Sequence, residues 1–291
     1  MEPKPTHDPA LPTPAATVVM LRDGAQGLEV FMIRRNEKSS VHGGAYVFPG
    51  GKVDPGDDAY RDGMQLDQPP ADLHRALADP ALDEAAAVSL YIAAVRETFE
   101  ECGVLLAHRR GSLSVEDVYD GTSRGLPFGE VLQILDLTVS TQSLLPWSRW
   151  ITPATSFTSV RRFDTRFFVV SARAGQEAQH DDFEAVDSVW TTPRGALEKY
   201  WRGDITMVPP QIMTLAHLAR HGHAESVFAE ARAKGPYVVR PLPFEEEGLK
   251  AIAYPGDPKH SQTVPVMPGP SRLVWQDGRL LPADGFDALF A

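Results

Sequence analysis

Cysteine is almost missing from this chain: one residue, Cys102, in 291. An internal disulfide is thereby excluded, and nothing points to an oxidising compartment. Long apolar runs are missing too. No stretch approaches the roughly 20 residues that a bilayer-spanning helix needs. The first fourteen residues are polar and rich in proline, with no apolar signal core. The cytoplasm is the expected location. Positive charge is scarce: 28 Lys and Arg stand against 39 Asp and Glu, a net charge of -11. So acidic a chain is a poor general binder of a phosphate backbone, which needs clustered cations. Neither nucleic acid nor a membrane is an expected partner.

What is present suits a globular protein. The chain is 43% hydrophobic and 23% charged, enough to bury a real core. Met1 to Ala15 reads as a flexible tail. Thr17 to Leu21 and Leu28 to Ile33 read as two strands around a turn at Asp23–Gly27. Helices are expected at 71–78, 83–102, 193–201, 210–221 and 224–234. Strands are expected at 104–106, 163–172 and 188–190, with a hairpin around 275–279. Strands and helices alternate without regular βαβ units, so a mixed sheet is expected.

The helix at 83–102 carries the chemistry. At about 100° per residue, Val88, Ile92, Val95, Phe99 and Cys102 form one apolar stripe. Cys102 therefore reads as a small core residue. Glu97, Glu100 and Glu101 fall on the opposite face. Three carboxylates within a turn repel one another, and the helix C-terminus disfavours anions. A divalent cation would relieve both costs, since hard cations take oxygen ligands. Spacing alone also fits a solvated acidic face.

The wider pattern decides. Arg96-Glu97-Thr98-Phe99-Glu100-Glu101-Cys102-Gly103-Val104 resembles the second half of the Nudix box, R-E-U-x-E-E-x-G-U with U apolar. Only Thr98 departs. The first half, G-x5-E, is met by Gly51, with Asp57 in the place of the usual glutamate. Residues 58 to 95 separate the halves, where the family pattern has about seven residues, so the box carries an insertion. The chain thus resembles the CoA diphosphatase branch of the Nudix family. Arg35, Gly44 and Phe48-Pro49-Gly50-Gly51 match that branch's preceding motif; Asn36 and Ser40 depart from it, Ser40 standing for a second arginine. Segments Trp150–Pro153, Arg162–Phe168 and Val208–Gln211 look like the same branch.

The resemblance implies an α/β fold (α+β in content), a Nudix-type α/β/α sandwich around a mixed sheet. Its expected divisions are a tail over 1–15, a catalytic domain over 16–205 with the insertion at about 58–88, and an extension over 206–291, helical and then irregular. It implies Mg2+ or Mn2+ held by Glu97, Glu100 and Glu101 with Gly51 close by. Arg96 would hold the loop, and one box glutamate, Glu101 slightly ahead, would act as general base. Other candidates for the base are Glu177, Asp182 and Glu184, near His180. Arg35, Gly44, Phe48 and Gly50 would contact the substrate. Strand alternation puts Arg162 and Arg166 on one face, as candidates to line a pocket. His217, His221 and His223 read as surface, without zinc spacing. The implied reaction is hydrolysis of a diphosphate in a small nucleotide: CoA or acyl-CoA, giving 3′,5′-ADP and 4′-phosphopantetheine. ADP-ribose or NADH, and a module that only binds nucleotide, stay open as alternatives. The insertion is a candidate for shaping substrate entry or for a homodimer contact.

Overall fold

The computed structural model describes residues 11–39, 42–108, 115–155, 161–173, 175–180 and 185–291. Strand β1 (Thr13–Gly24) turns at Gly24–Gly27 into β2 (Gly27–Arg35), and β3 (Tyr46–Val47) and β4 (Gly50–Lys52) follow. The box is then interrupted by a 3-10 helix at Pro55–Asp62, β5 (Gln65–Leu66) and α1 (Pro70–Leu77). It resumes in α2 (Glu84–Cys102). Next come β6 (Ala107–His108), α3 (Val115–Ser123), α4 (Phe128–Ile134), β7 (Thr138–Val139), β8 (Leu145–Ile151), β9 (Phe163–Ser171) and β10 (Ala185–Thr191). The chain ends with α5 (Pro193–Arg202), α6 (Pro209–Leu218), α7 (Ala224–Lys234), β11 (Tyr237–Val239) and four strands, β12 (Leu242–Glu246), β13 (Leu249–Ala253), β14 (Arg272–Gln276) and β15 (Arg279–Pro282).

The main sheet runs β10-β2-β1-β9-β8-β11, with β3 beside β2 and β4 beside β1. β1 pairs parallel with β9 and antiparallel with β2, so the sheet is mixed. Alternation divides its side chains between two cores. Val18, Met20, Phe168 and Val170 pack with Tyr91, Ile92, Val95 and Phe99 of α2. Val19, Leu21, Phe167 and Val169 pack with Leu197 of α5, Ile212 and Leu215 of α6, and Val227 of α7. Helices therefore cover both faces, which makes the expected α/β/α sandwich.

Helix α2 begins at an Asp83 cap, whose carboxylate accepts from Ala86 N, and stops at Gly103 with φ 66°. Cys102 is fully buried. Thr98, the departure from the apolar box position, is buried as well, and its Oγ1 donates to Ala94 O at 2.7 Å. A hydroxyl satisfied inside the helix stands in for an apolar side chain without an orphaned polar group.

Several expectations are corrected. The N-terminal tail is shorter than expected, because Thr13–Ala15 already belong to β1 and pair with β9. Val104–Leu106 are buried but form no strand. Leu105 N instead donates to Gln176 Oε1 at 2.7 Å, so a side chain replaces the ladder that apolar character suggested. The stretch after 206 is helical as expected, but its last part is not irregular. α6 and α7 build one core, β11 pairs with β8, and β12–β15 form a four-stranded antiparallel sheet. Among the described residues no helix is long and apolar enough to cross a membrane.

Candidate active site

The box halves meet through Arg96. Its Nε donates to Asp57 Oδ1 at 2.8 Å and its Nη2 to Asp57 Oδ2 at 3.0 Å, a two-pronged pair. Nη1 donates to Glu97 Oε1 at 2.7 Å and to Glu100 Oε2 at 2.9 Å, and Nη2 also reaches Lys52 O at 3.0 Å. The guanidinium thus binds the loop before the insertion to the helix after it. Burial opposes its charge, but Asp57, Glu97 and Glu100 outweigh that and hold it more firmly protonated than a free arginine. Asp57, shorter than the usual glutamate, still reaches because the 3-10 helix begins at Pro55 and carries it down onto α2.

Glycine seats the carboxylates. β4 lies antiparallel to β1, with Gly50 opposite Thr17 and Gly51 opposite Ala16. A Cβ at Gly51 would overlap the Glu97 carboxylate, and one at Gly50 would overlap Ala16 O and Thr17. Gly50, at φ 153°, donates its N–H to Glu101 Oε2 at 2.7 Å, while Arg35 Nη1 lies 3.4 Å from Glu101 Oε1. Glu101 is buried; the Glu97 side chain is 12% exposed and that of Glu100 46%. Burial raises the Glu100 pKa, Arg96 opposes that rise, and Asp57 and Asp54 add to it. Four carboxylates (Asp57, Glu97, Glu100, Glu101) face two guanidiniums (Arg35, Arg96). Among the described residues the oxygens of Glu97, Glu100 and Glu101 do not converge within 4.8 Å of one another, yet this excess of carboxylates is the donor chemistry that suits a hard divalent cation.

Glu97 and Glu100 open into a cavity of ≈ 470 Å³. Its polar end also holds Arg35, Gly50, Gly51 and Arg96; its apolar wall includes Phe48, Trp150, Phe163, Phe167 and Ile252. Segments 150–153 and 208–211, singled out in the sequence, both line it along their whole length. Pro241, Pro243 and Ile252 enter from the C-terminal sheet region.

Three expected contacts lie elsewhere. Arg166 faces the opposite side of β9. It is buried against Asp79, with Nη2 2.5 Å from Oδ2, and anchors the end of α1 together with Arg149. Arg162 Nε donates to Thr152 O at 3.2 Å and does not line the cavity. Alternation holds, but the cavity takes the other parity, Phe163, Thr165 and Phe167, and the cation this segment adds to it is Arg161. Gly44, at φ 77°, shapes the turn before β3, its N donating to Arg35 O at 3.1 Å, and it does not line the cavity either. Ser40, Asp182 and Glu184 lie outside the described residues.

Sequence reasoning overlooked His42, which lines the cavity near Arg35 and whose pKa is lowered by burial and then by that arginine. No spacing rule marks a lone histidine in a glycine-rich loop. It also misread His217 and His221 as surface: His217 is buried and His221 half-buried, and with Glu230 they form a potential ligand cluster. The one acid, Glu230, comes from another helix, α7, so no pattern local in sequence could reveal the cluster.

The family model of the NUDT19 Nudix domain matches residues 10–218. The acyl-coenzyme A diphosphatase NUDT19 of Homo sapiens is 30% identical over 233 residues, covering 67% of this chain and 61% of that protein. Its counterpart from Xenopus laevis is 29% identical over 225 residues, covering 65% and 59%. The chain thus spans about three fifths of the length of these relatives. The crystal structure of a NUDIX hydrolase from Alicyclobacillus acidocaldarius is 27% identical, with a TM-score of 0.60, and the match covers 76% of this chain and 96% of that one.

Proposed function

The chain belongs to the Nudix family, and from that premise we propose that it is a metal-dependent hydrolase that cleaves the diphosphate of CoA or acyl-CoA, giving 3′,5′-ADP and (acyl-)4′-phosphopantetheine. The observation that carries this reading is the continuity of one cavity, acidic at the Glu97 and Glu100 end and apolar along Trp150, Phe163, Phe167 and Ile252. A diphosphate carried on a long, partly apolar arm matches both ends. The relatives named as acyl-coenzyme A diphosphatases support the same substrate class.

Glu97, Glu100 and Glu101 would hold Mg2+ or Mn2+, with the glycine backbone at Gly51 close by. Such an ion, when bound, neutralises diphosphate oxygens and lowers the pKa of a bound water. The protein's own part is to place and to hold. Arg96 fixes Glu97 and Glu100 against the loop. Arg35 and Arg161 offer guanidiniums to phosphate oxygens at the cavity wall. Phe48 and Trp150 keep water from the apolar end. Glu101 is assigned the role of general base, with Gly50 N and Arg35 orienting its two oxygens. A Glu101→Gln variant that keeps full turnover at saturating metal removes it from that role.

Substrate ranking tests the proposal. With Mg2+ or Mn2+, kcat/KM is expected to be highest for CoA and acyl-CoA, with ADP-ribose and NADH at least roughly tenfold lower. The reverse order would keep the hydrolase and replace the substrate. It would also give weight to the missing second arginine at Ser40.

A further inference from the structure

Helix α6 links the cavity to a second place in the molecule. Its first turn, at Pro209–Gln211, lines the cavity. Its last turn carries His217, and His221 follows one helical turn later. From α7, Glu230 reaches both rings: His217 Nε2 lies 3.0 Å from Oε1, and His221 Nε2 lies 3.2 Å from Oε2. One ligand atom from each of the three residues falls within 4.8 Å of the others. A separate cavity of ≈ 450 Å³ opens beside them, lined by His217, Glu230 and Tyr237 among others.

The outward ring nitrogens are anchored as well. Ser226 Oγ gives its proton to His223 O at 2.6 Å, so it meets His221 Nδ1, 2.9 Å away, as an acceptor. His221 therefore donates from Nδ1. In its neutral form it turns the Nε2 lone pair toward a carboxylate oxygen, an arrangement that calls for a positive charge between the two. His217 Nδ1 lies 3.4 Å from Tyr237 OH, and its ring packs tilted against Trp147 with centroids 4.6 Å apart. Metal-binding histidines are held in this way, with one nitrogen fixed by an outer partner and the other free to ligate. Two imidazoles and a carboxylate are the donors that zinc-class ions take, with a fourth position left open. The C-terminal end of α6 also favours a cation. Lys234 Nζ, 2.9 Å from Glu230 Oε1, is an opposing charge, and its 71% exposed side chain can turn away into solvent.

We propose that His217, His221 and Glu230 form a binding site for a divalent zinc-class ion, distinct from the box carboxylates and joining α6 to α7.

The test uses the full chain, stripped by chelator and titrated with Co2+ or Zn2+ alone. Nitrogen-ligated Co2+ of low coordination number absorbs far more strongly in the visible than the oxygen-ligated ion expected at the box. Wild type and Glu100→Gln are both expected to show the strong band. His221→Asn and Glu230→Gln are expected to lose it and to bind Zn2+ at least roughly tenfold more weakly, while Mg2+-supported turnover is retained. Should either variant misfold, X-ray absorption on Zn2+-loaded wild type decides: two imidazole ligands support the site, and an all-oxygen shell overturns it. A wild type without the band, or a band untouched by both variants, also overturns it and leaves a plain histidine–glutamate ion pair.

Discussion

Arg96 contacts Asp57, Glu97, Glu100 and Lys52 O, and each contact fixes a different part of the box. Asp57 is 1% exposed, so Asp57→Asn leaves a buried guanidinium short of charge and is expected to cost about 3 kcal/mol of unfolding free energy, measured by urea denaturation. Gly51→Ala is expected to fold but to push the Glu97 carboxylate aside. A loss of roughly 10–100-fold in metal affinity or turnover should follow, the scale for disturbing a group that orients ligands. His42 gives a pH signature. Burial and Arg35 depress its pKa below the ordinary 6.5, so on acidification the unfolded chain takes up this proton before the folded one. Its contribution to stability is complete above pH 6.5 and falls as the pH drops below it, and His42→Asn should flatten that part of the stability curve. The carboxylates and Arg96 were legible in the sequence because a helix brings i, i+3 and i+4 residues together. The partnership of Arg96 with Asp57 was not legible from spacing, because 38 residues separate the two in the chain.

At the scale of elements, α2 could be read almost to the residue, since an aspartate cap, an apolar stripe and a stop glycine all agree. The parity of β9 could not be read. Both of its faces are buried, so hydrophobicity does not say which one meets the cavity. Arg166 was therefore assigned to the substrate while it holds Asp79 at the end of the insertion's helix. Asp79 is held ionised by its setting: burial raises its pKa, but the Ala81 N–H, Arg149 and Arg166 outweigh that and lower it. Asp79→Ala leaves the buried Arg166 with Asp164 as its remaining acidic partner and is expected to destabilise by about 3 kcal/mol. The measurement is again a denaturant midpoint; an unchanged midpoint would mean that the insertion is not anchored by this pair.

For the molecule as a whole, the four-stranded C-terminal sheet matters to the site because it completes the cavity wall. Tyr200 OH donates to Leu280 O at 2.8 Å and ties that sheet to α5. The family match ends at residue 218, yet Pro241, Pro243 and Ile252 line the same cavity as Glu97. The hairpin at β14–β15 was legible from its turn, but the wall built by Pro241, Pro243 and Ile252 was not, because proline-rich composition hides β12 and β13. Ile252→Ala should raise KM for acyl-CoA more than for CoA and leave kcat nearly unchanged, as expected when apolar contact is lost far from the reacting bond.

The most direct test is mass-spectrometric product analysis of CoA incubated with chelator-stripped protein, before and after Mg2+ is restored. 3′,5′-ADP and 4′-phosphopantetheine are expected only with the metal, and neither from Glu100→Gln. Intact CoA after Mg2+ and Mn2+ are both supplied, or equal product from Glu100→Gln, would contradict the proposed function.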